Sequence, residues 1–193
     1  RLVRYALRTQ QKTYYLFGWH TTGTGRFDGI GDYIRELYEQ DKPRIIHSVD
    51  MAGIINEALQ NYRDHDVLCF RMTSKKGENL DRIPVDNETG CYSGVPEEIS
   101  QHRHDRIAYH YPPELDRRKV WTTYYNEPSK EACDMDYLGR LALNDAMLCL
   151  RDGYKYLAWG WSGGTPEPEF WDNPYVIEYL ELCAQYPDEL GIN

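Results

Sequence analysis

The sequence predicts an α/β chain carrying about the first five β/α units of a (β/α)8 barrel, the TIM-barrel arrangement. Three observations predict it. Strand-like and helix-like runs alternate in series along the chain. The units recur about every 35 residues, which extrapolates to roughly 300 for eight, inside the range of closed barrels. No GxGxxG follows the first strand and no P-loop is present, and Gly23-Thr24-Gly25 is too short to stand in for either.

The elements follow in order. Thr13 to Trp19 is a β-rich run, and a Gly-rich loop from Thr21 to Gly25 follows it. Ile30, Tyr33, Ile34, Leu37 and Tyr38 then recur at helical spacing, and Pro43 marks a stop. Arg44 to Val49 is a second strand. Met51, Ile54, Ile55, Ala58, Leu59 and Tyr62 give a second helix, and Asp66 to Arg71 a third strand. Thr73 to Gly94 is polar and rich in turn residues, so it reads as a long loop with no core of its own. Pro96 opens a third helix with acids in its first turn, and Pro112-Pro113 ends it.

Lys119 to Tyr125 is a fourth strand. The helix after it carries Leu138, Leu141, Ala142, Ala146, Leu148 and Cys149 on its apolar positions and closes at Asp152-Gly153. Tyr154 to Gly160 is a fifth strand, followed by a Pro-rich loop and a helix through Val176, Ile177, Tyr179, Leu180 and Leu182. Gly191-Ile192-Asn193 reads as a further strand beginning. Consecutive β/α units imply parallel strands joined by right-handed crossovers.

Composition narrows the function classes. A net charge of −9, with only short basic pairs at Lys75-Lys76 and Arg117-Arg118, argues against a nucleic-acid groove. No apolar run approaches the roughly 18 residues of a membrane span. The first residues, Arg1-Leu2-Val3-Arg4, hold neither an apolar signal core nor Met, so this end is expected to be processed, trimmed or incompletely defined. Seventeen Tyr and five Trp suit a sugar cleft, because an aromatic ring covers the apolar face of a pyranose, although the same residues also pack cores. The five Cys include no CxxC pair; Cys69, Cys149 and Cys183 sit in apolar stretches and are expected as buried thiols, so a disulfide framework is not the expectation.

Barrel enzymes place their chemistry at the C-terminal ends of strands. Those ends carry Trp19-His20, Asp50, Arg71, Asn126-Glu127 and the stretch from Trp159 through Trp161 to Ser162. Every one is polar or aromatic and directly follows an apolar strand. Trp121-Thr-Thr-Tyr-Tyr-Asn126-Glu127-Pro128 resembles the fourth-strand motif of glycoside hydrolase clan A, in which a strand ends in Asn-Glu-Pro. The resemblance implies a TIM-barrel O-glycosyl hydrolase, retaining, with Glu127 as general acid/base and Asn126 as ligand of the sugar 2-hydroxyl. Such an acid protonates the leaving oxygen and then activates water, and a 2-hydroxyl contact strengthens as the oxocarbenium-like state forms.

The remaining strand-end residues are candidate substrate contacts. Trp159 and Trp161 are expected as an aromatic cleft wall, and Asp50, His20 and Trp19 as sugar-binding positions. Arg71 is expected to orient a carboxylate, although the clan's usual arginine lies earlier in the barrel. Glu167 and Glu169 read as solvated loop acids. His102 and His104 stand two apart on the third helix, facing different ways, so no metal or other cofactor is expected.

The clan's nucleophile ends the seventh strand, beyond Asn193. Residues 1–193 are therefore expected to be a partial barrel domain, the N-terminal part of a larger catalytic domain, completed by a further polypeptide segment. An open piece would expose two strand edges and the inner faces of its helices, so it is expected to be unstable as a lone monomer. The expected partner is a carbohydrate, a polysaccharide or oligosaccharide. A non-catalytic carbohydrate-binding or structural barrel relative, and a metal-dependent barrel hydrolase, are the competing functions. Localisation is left open between extracellular and cytoplasmic.

Overall fold

A computed structural model describes residues 18–21, 30–42, 44–75, 77–125, 128–129, 131–161 and 166–193. Within them six strands form one parallel sheet: β1 (Gly18–Thr21), β2 (Ile45–Val49), β3 (Val67–Arg71), β6 (Val120–Thr123), β7 (Lys155–Ala158) and β8 (Leu190–Ile192). Neighbours pair in chain order, β1 with β2, β2 with β3, β3 with β6, β6 with β7 and β7 with β8, all parallel. A two-residue hairpin, β4 (Ser74–Lys75) and β5 (Glu78–Asn79), stands apart between β3 and the third helix. The expected alternation is present: α1 (Ile30–Glu39), α2 (Ala52–Leu59), α3 (Pro96–His110), α4 (Met135–Asp152) and α5 (Pro174–Gln185) each follow a strand of the large sheet.

Local sequence explains the helix boundaries. Pro96 occupies the first turn of α3, where a missing N–H costs nothing, and Glu97 and Glu98 meet its positive end. Asn173 caps α5, its side chain accepting the N–H groups of Tyr175 at 3.0 Å and Val176 at 3.4 Å, with Pro174 at the first helical position.

The strand order never reverses, so right-handed crossovers put all helices on one face of the sheet. Burial alternates accordingly. Ile46, Ser48, Leu68, Phe70, Val120, Thr122, Tyr156 and Ala158 are buried beneath the helices. The alternate residues Ile45, His47, Val67, Trp121, Lys155 and Leu157 are only partly covered. Towards the C-terminal ends this second face closes again, and Val49, Cys69, Arg71 and Thr123 are buried.

Two buried ion pairs tie neighbouring elements together. Arg44, just before β2, meets Asp66, just before β3, and their side chains are 2% and 0% exposed. Arg103 of α3 meets Asp145 of α4. No helix among the described residues is long and apolar enough to cross a membrane.

The stretch from Thr73 to Gly94, expected as a long loop with no core of its own, carries a short hairpin and lends Leu80 and Ile83 to the main core. Cys91 and Cys133 form a disulfide across 42 residues, while Cys69 and Cys149 are buried free thiols and Cys183 is half-buried. The expected first strand from Thr13 to Phe17 and the loop from Thr22 to Gly25 lie outside the described residues.

Candidate active site at the C-terminal rim

The C-terminal ends of the parallel strands form a rim where the chain turns sharply. Asp50, Tyr125 and Trp159 have φ of 60°, 62° and 54°, the left-handed region that non-glycine residues enter at a cost. Asp50 and Trp159 come one residue after β2 and β7, and Tyr125 two after β6. Such outliers persist only where surrounding contacts hold them, and they gather at functional sites.

Those contacts can be named. The Asp50 N–H donates to the Arg71 carbonyl at 2.9 Å, extending the β2–β3 ladder by one residue. The Asp50 carboxylate accepts the Thr73 N–H at 2.7 Å and the Thr73 hydroxyl, so it is committed to the chain leaving β3. An open cleft of about 710 Å³ adjoins it, lined by Met72, Ser74, Lys75, Tyr109 and Glu114 among others. Arg71 is buried at the top of β3 and ion-pairs with Asp81. Its Nε is buried without a hydrogen-bond partner. The other Asp81 oxygen accepts the Tyr125 N–H at 3.0 Å. The Arg103 guanidinium lies 3.9 Å from the centre of the Tyr125 ring and 4.6 Å from that of Tyr124.

Trp159 takes the opposite course. Its left-handed turn carries the indole to the helix side, where it is 1% exposed and Nε1 donates to the Leu138 carbonyl at 3.4 Å. It packs against Phe170 and Tyr179. The ring therefore serves the core and has no free face for a sugar. Trp161 stacks on it at 5.1 Å and stays partly exposed, as does Trp171, whose ring stands edge-on to Trp161 at 6.0 Å. Among the described tryptophans, aromatic surface at this rim belongs to Trp161 and Trp171. Trp171 was not singled out in the sequence; an aromatic pair, Phe170-Trp171, inside a Pro-rich polar loop was the available signal.

Gly160 closes the rim between β6 and β8. A Cβ there would stand 2.9 Å from Asn193 Nδ2 and 3.2 Å from the Tyr125 carbonyl oxygen, so a side chain would push both aside. Asn193 also donates to the Thr123 hydroxyl at 3.4 Å. The structure thus gathers Arg71, Asp81, Thr123, Tyr125 and Asn193 at the tops of β3, β6 and β8. Asn126, Glu127 and Ser162 lie outside the described residues, as do the side chains of Trp19 and His20. Ser129, just past the motif, donates its N–H to the Tyr92 hydroxyl at 2.8 Å.

A second cleft, of about 700 Å³, opens at the other end of β7 between Met147, Leu150, Leu182 and Tyr186. It is mainly apolar with a basic edge and holds one acid, Glu189, so it lacks the carboxylate pair that glycoside hydrolysis requires. Among the described histidines, His104 of α3 pairs with Asp152 at 2.8 Å and His102 is exposed. Comparison with protein-family models, curated proteins and solved structures returned no match.

Proposed function

We propose that this chain forms the N-terminal part of a (β/α)8 barrel glycosidase of the clan A kind, acting on a polysaccharide or oligosaccharide. Glu127 is its general acid/base and Asn126 the ligand of the sugar 2-hydroxyl. One observation supports the reading: in sequence Asn126-Glu127-Pro128 comes three residues after the end of β6, the fourth strand of a parallel sheet. Barrel enzymes carry catalytic groups at the C-terminal edge of such a sheet.

Three features support it. The sequential strand order is that of a singly wound sheet, the precursor of a closed barrel. The face away from the helices carries Trp121 and Lys155 and is partly uncovered, as the inside of an unclosed barrel is. Left-handed residues mark the ends of three strands at the same edge.

In this reading the Glu127 carboxyl protonates the departing glycosidic oxygen, then as carboxylate takes a proton from water. The partner nucleophile stands about 5 Å away on a later strand, as retention demands. Trp161 and Trp171 offer ring faces to the sugar, and Arg71 offers guanidinium hydrogens.

The test is hydrolysis of aryl glycosides and of a polysaccharide panel by the protein at its natural full length. Glu127→Gln is expected to lower turnover by about 10²- to 10⁴-fold. Undiminished hydrolysis by this variant would end the proposal, and so would glycan binding by the wild type without cleavage.

A further inference from the structure

We propose that the cavity between α3 and the chain leaving the hairpin binds a phosphate monoester, a role independent of the glycosidase reading. The cavity measures about 470 Å³, room for a small organic ligand. Ile99, Arg103 and Arg106 line it from positions i, i+4 and i+7 of α3, which share one helix face. Leu80, Arg82 and Pro84 line it from the connection between β5 and α3.

Charge is the first observation. The chain as a whole carries −9, yet this lining sets Arg82, Arg103 and Arg106 against a single acid, Glu78. Glu78 pairs with Arg106, and Asp145, which does not line the cavity, pairs with Arg103. Arg82 is exposed and pairs with no acid among the described residues. The lining therefore keeps a positive charge that no described neighbour matches.

A shortage of acceptors is the second observation. Arg103 is only 4% exposed. Its Nη2 donates to Asp145, but Nε and Nη1 are buried with no hydrogen-bond partner. The guanidinium lies 4.6 Å from the centre of the Tyr124 ring and 3.9 Å from that of Tyr125. A ring face attracts the cation but supplies no lone pair. Buried donors without acceptors cost free energy, and an oxyanion against this arginine supplies what they lack.

The lining also selects among oxyanions. A phosphate ester brings up to two negative charges and three strong acceptor oxygens, and guanidinium forks match their geometry. A carboxylate brings one charge and two oxygens. Leu80, Pro84 and Ile99 add apolar surface for the organic group of an ester, which inorganic phosphate leaves uncovered.

The experiment is isothermal titration calorimetry of the full chain with phenyl phosphate, inorganic phosphate and acetate. Phenyl phosphate should bind one site per chain with a Kd of about 1 mM or below. Inorganic phosphate should bind about tenfold more weakly, for want of the apolar contact, and acetate more weakly still. Arg82→Ala should weaken phenyl phosphate about tenfold, the usual worth of one hydrogen bond to a charged group. The Arg103→Met, Asp145→Leu double variant, which leaves no lone buried charge, should weaken it at least as much. Arg118→Ala, in the other cleft, should change nothing. Absence of saturable binding overturns the proposal. So does acetate binding as tightly as the ester, full affinity in Arg82→Ala, or an equal loss in Arg118→Ala. Arg82 is exposed, so its variant carries the test if the double variant does not fold.

Discussion

The Tyr156 hydroxyl donates to the Asp145 carboxylate at 3.1 Å, linking β7 to α4. Asp145 is 0% exposed and also pairs with Arg103, whose guanidinium covers the Tyr125 ring. Burial pushes the Asp145 carboxyl up, against the pull of Arg103. Removing one member leaves the other charged and uncompensated. Asp145→Ala is therefore expected to destabilise the protein by about 3–5 kcal/mol in urea denaturation. An Arg103→Met, Asp145→Leu double variant should recover most of that loss, since no buried charge remains. A double variant as unstable as the single one would refute the account.

Asp66 gives the acid limit. Burial pushes its carboxyl up, but the Arg44 side chain, the Arg63 amide and the Arg44 charge outweigh this and hold it below the ordinary value. With the folded pKa depressed, the unfolded chain binds more protons as pH falls. The stabilisation is therefore present above about pH 4, the ordinary carboxylate range, and is lost as pH drops through the folded value. Thermal melts from pH 6 to pH 3 should show a falling midpoint, with a shallower fall in Asp66→Asn. Parallel slopes in the two proteins would show that the acid response comes from elsewhere.

The Cys91–Cys133 bond closes a loop spanning 42 residues. Replacing both cysteines by serine is expected to cost about 2–4 kcal/mol, mostly by freeing the unfolded chain. In the native protein the effect should be local, with proteolytic nicking appearing between residues 73 and 94 before the sheet opens. Equal resistance of oxidised and reduced protein to protease would contradict the tether.

Gly139 sits inside α4, where alanine would ordinarily favour the helix by about 1 kcal/mol. A Cβ there would stand 2.7 Å from the Tyr175 Cβ and 3.2 Å from the Val176 nitrogen of α5. Backbone cannot move aside as a flexible side chain does. Gly139→Ala is expected to destabilise by about 1–3 kcal/mol, opposite in sign to helix propensity. A raised melting temperature would refute this close approach of α4 and α5.

The layered architecture was legible because switching between period-two and helical spacing is a local signal; even the strand at Gly191 announced itself. What was illegible depends on distant placement. Asp81 lies in a polar stretch with nothing to separate it from Asp86 or Glu88, and its role follows only from where Arg71 and Tyr125 arrive. Leu80 and Ile83 are isolated apolar residues in that stretch, with no period to reveal that they turn inward. Trp159 continues an apolar strand, yet one left-handed residue sends its ring to the helix side. The pairing of Cys91 with Cys133 needed the fold, because spacing alone fixes no connectivity.

Because each strand lies beside its predecessor, the sheet asks no strand to wait for one made much later. Every new β/α unit meets an edge already laid down, so assembly can keep pace with a ribosome delivering the N-terminus first. Each added strand also inherits the vulnerability of being last, an open ladder seeking its neighbour until the next one docks.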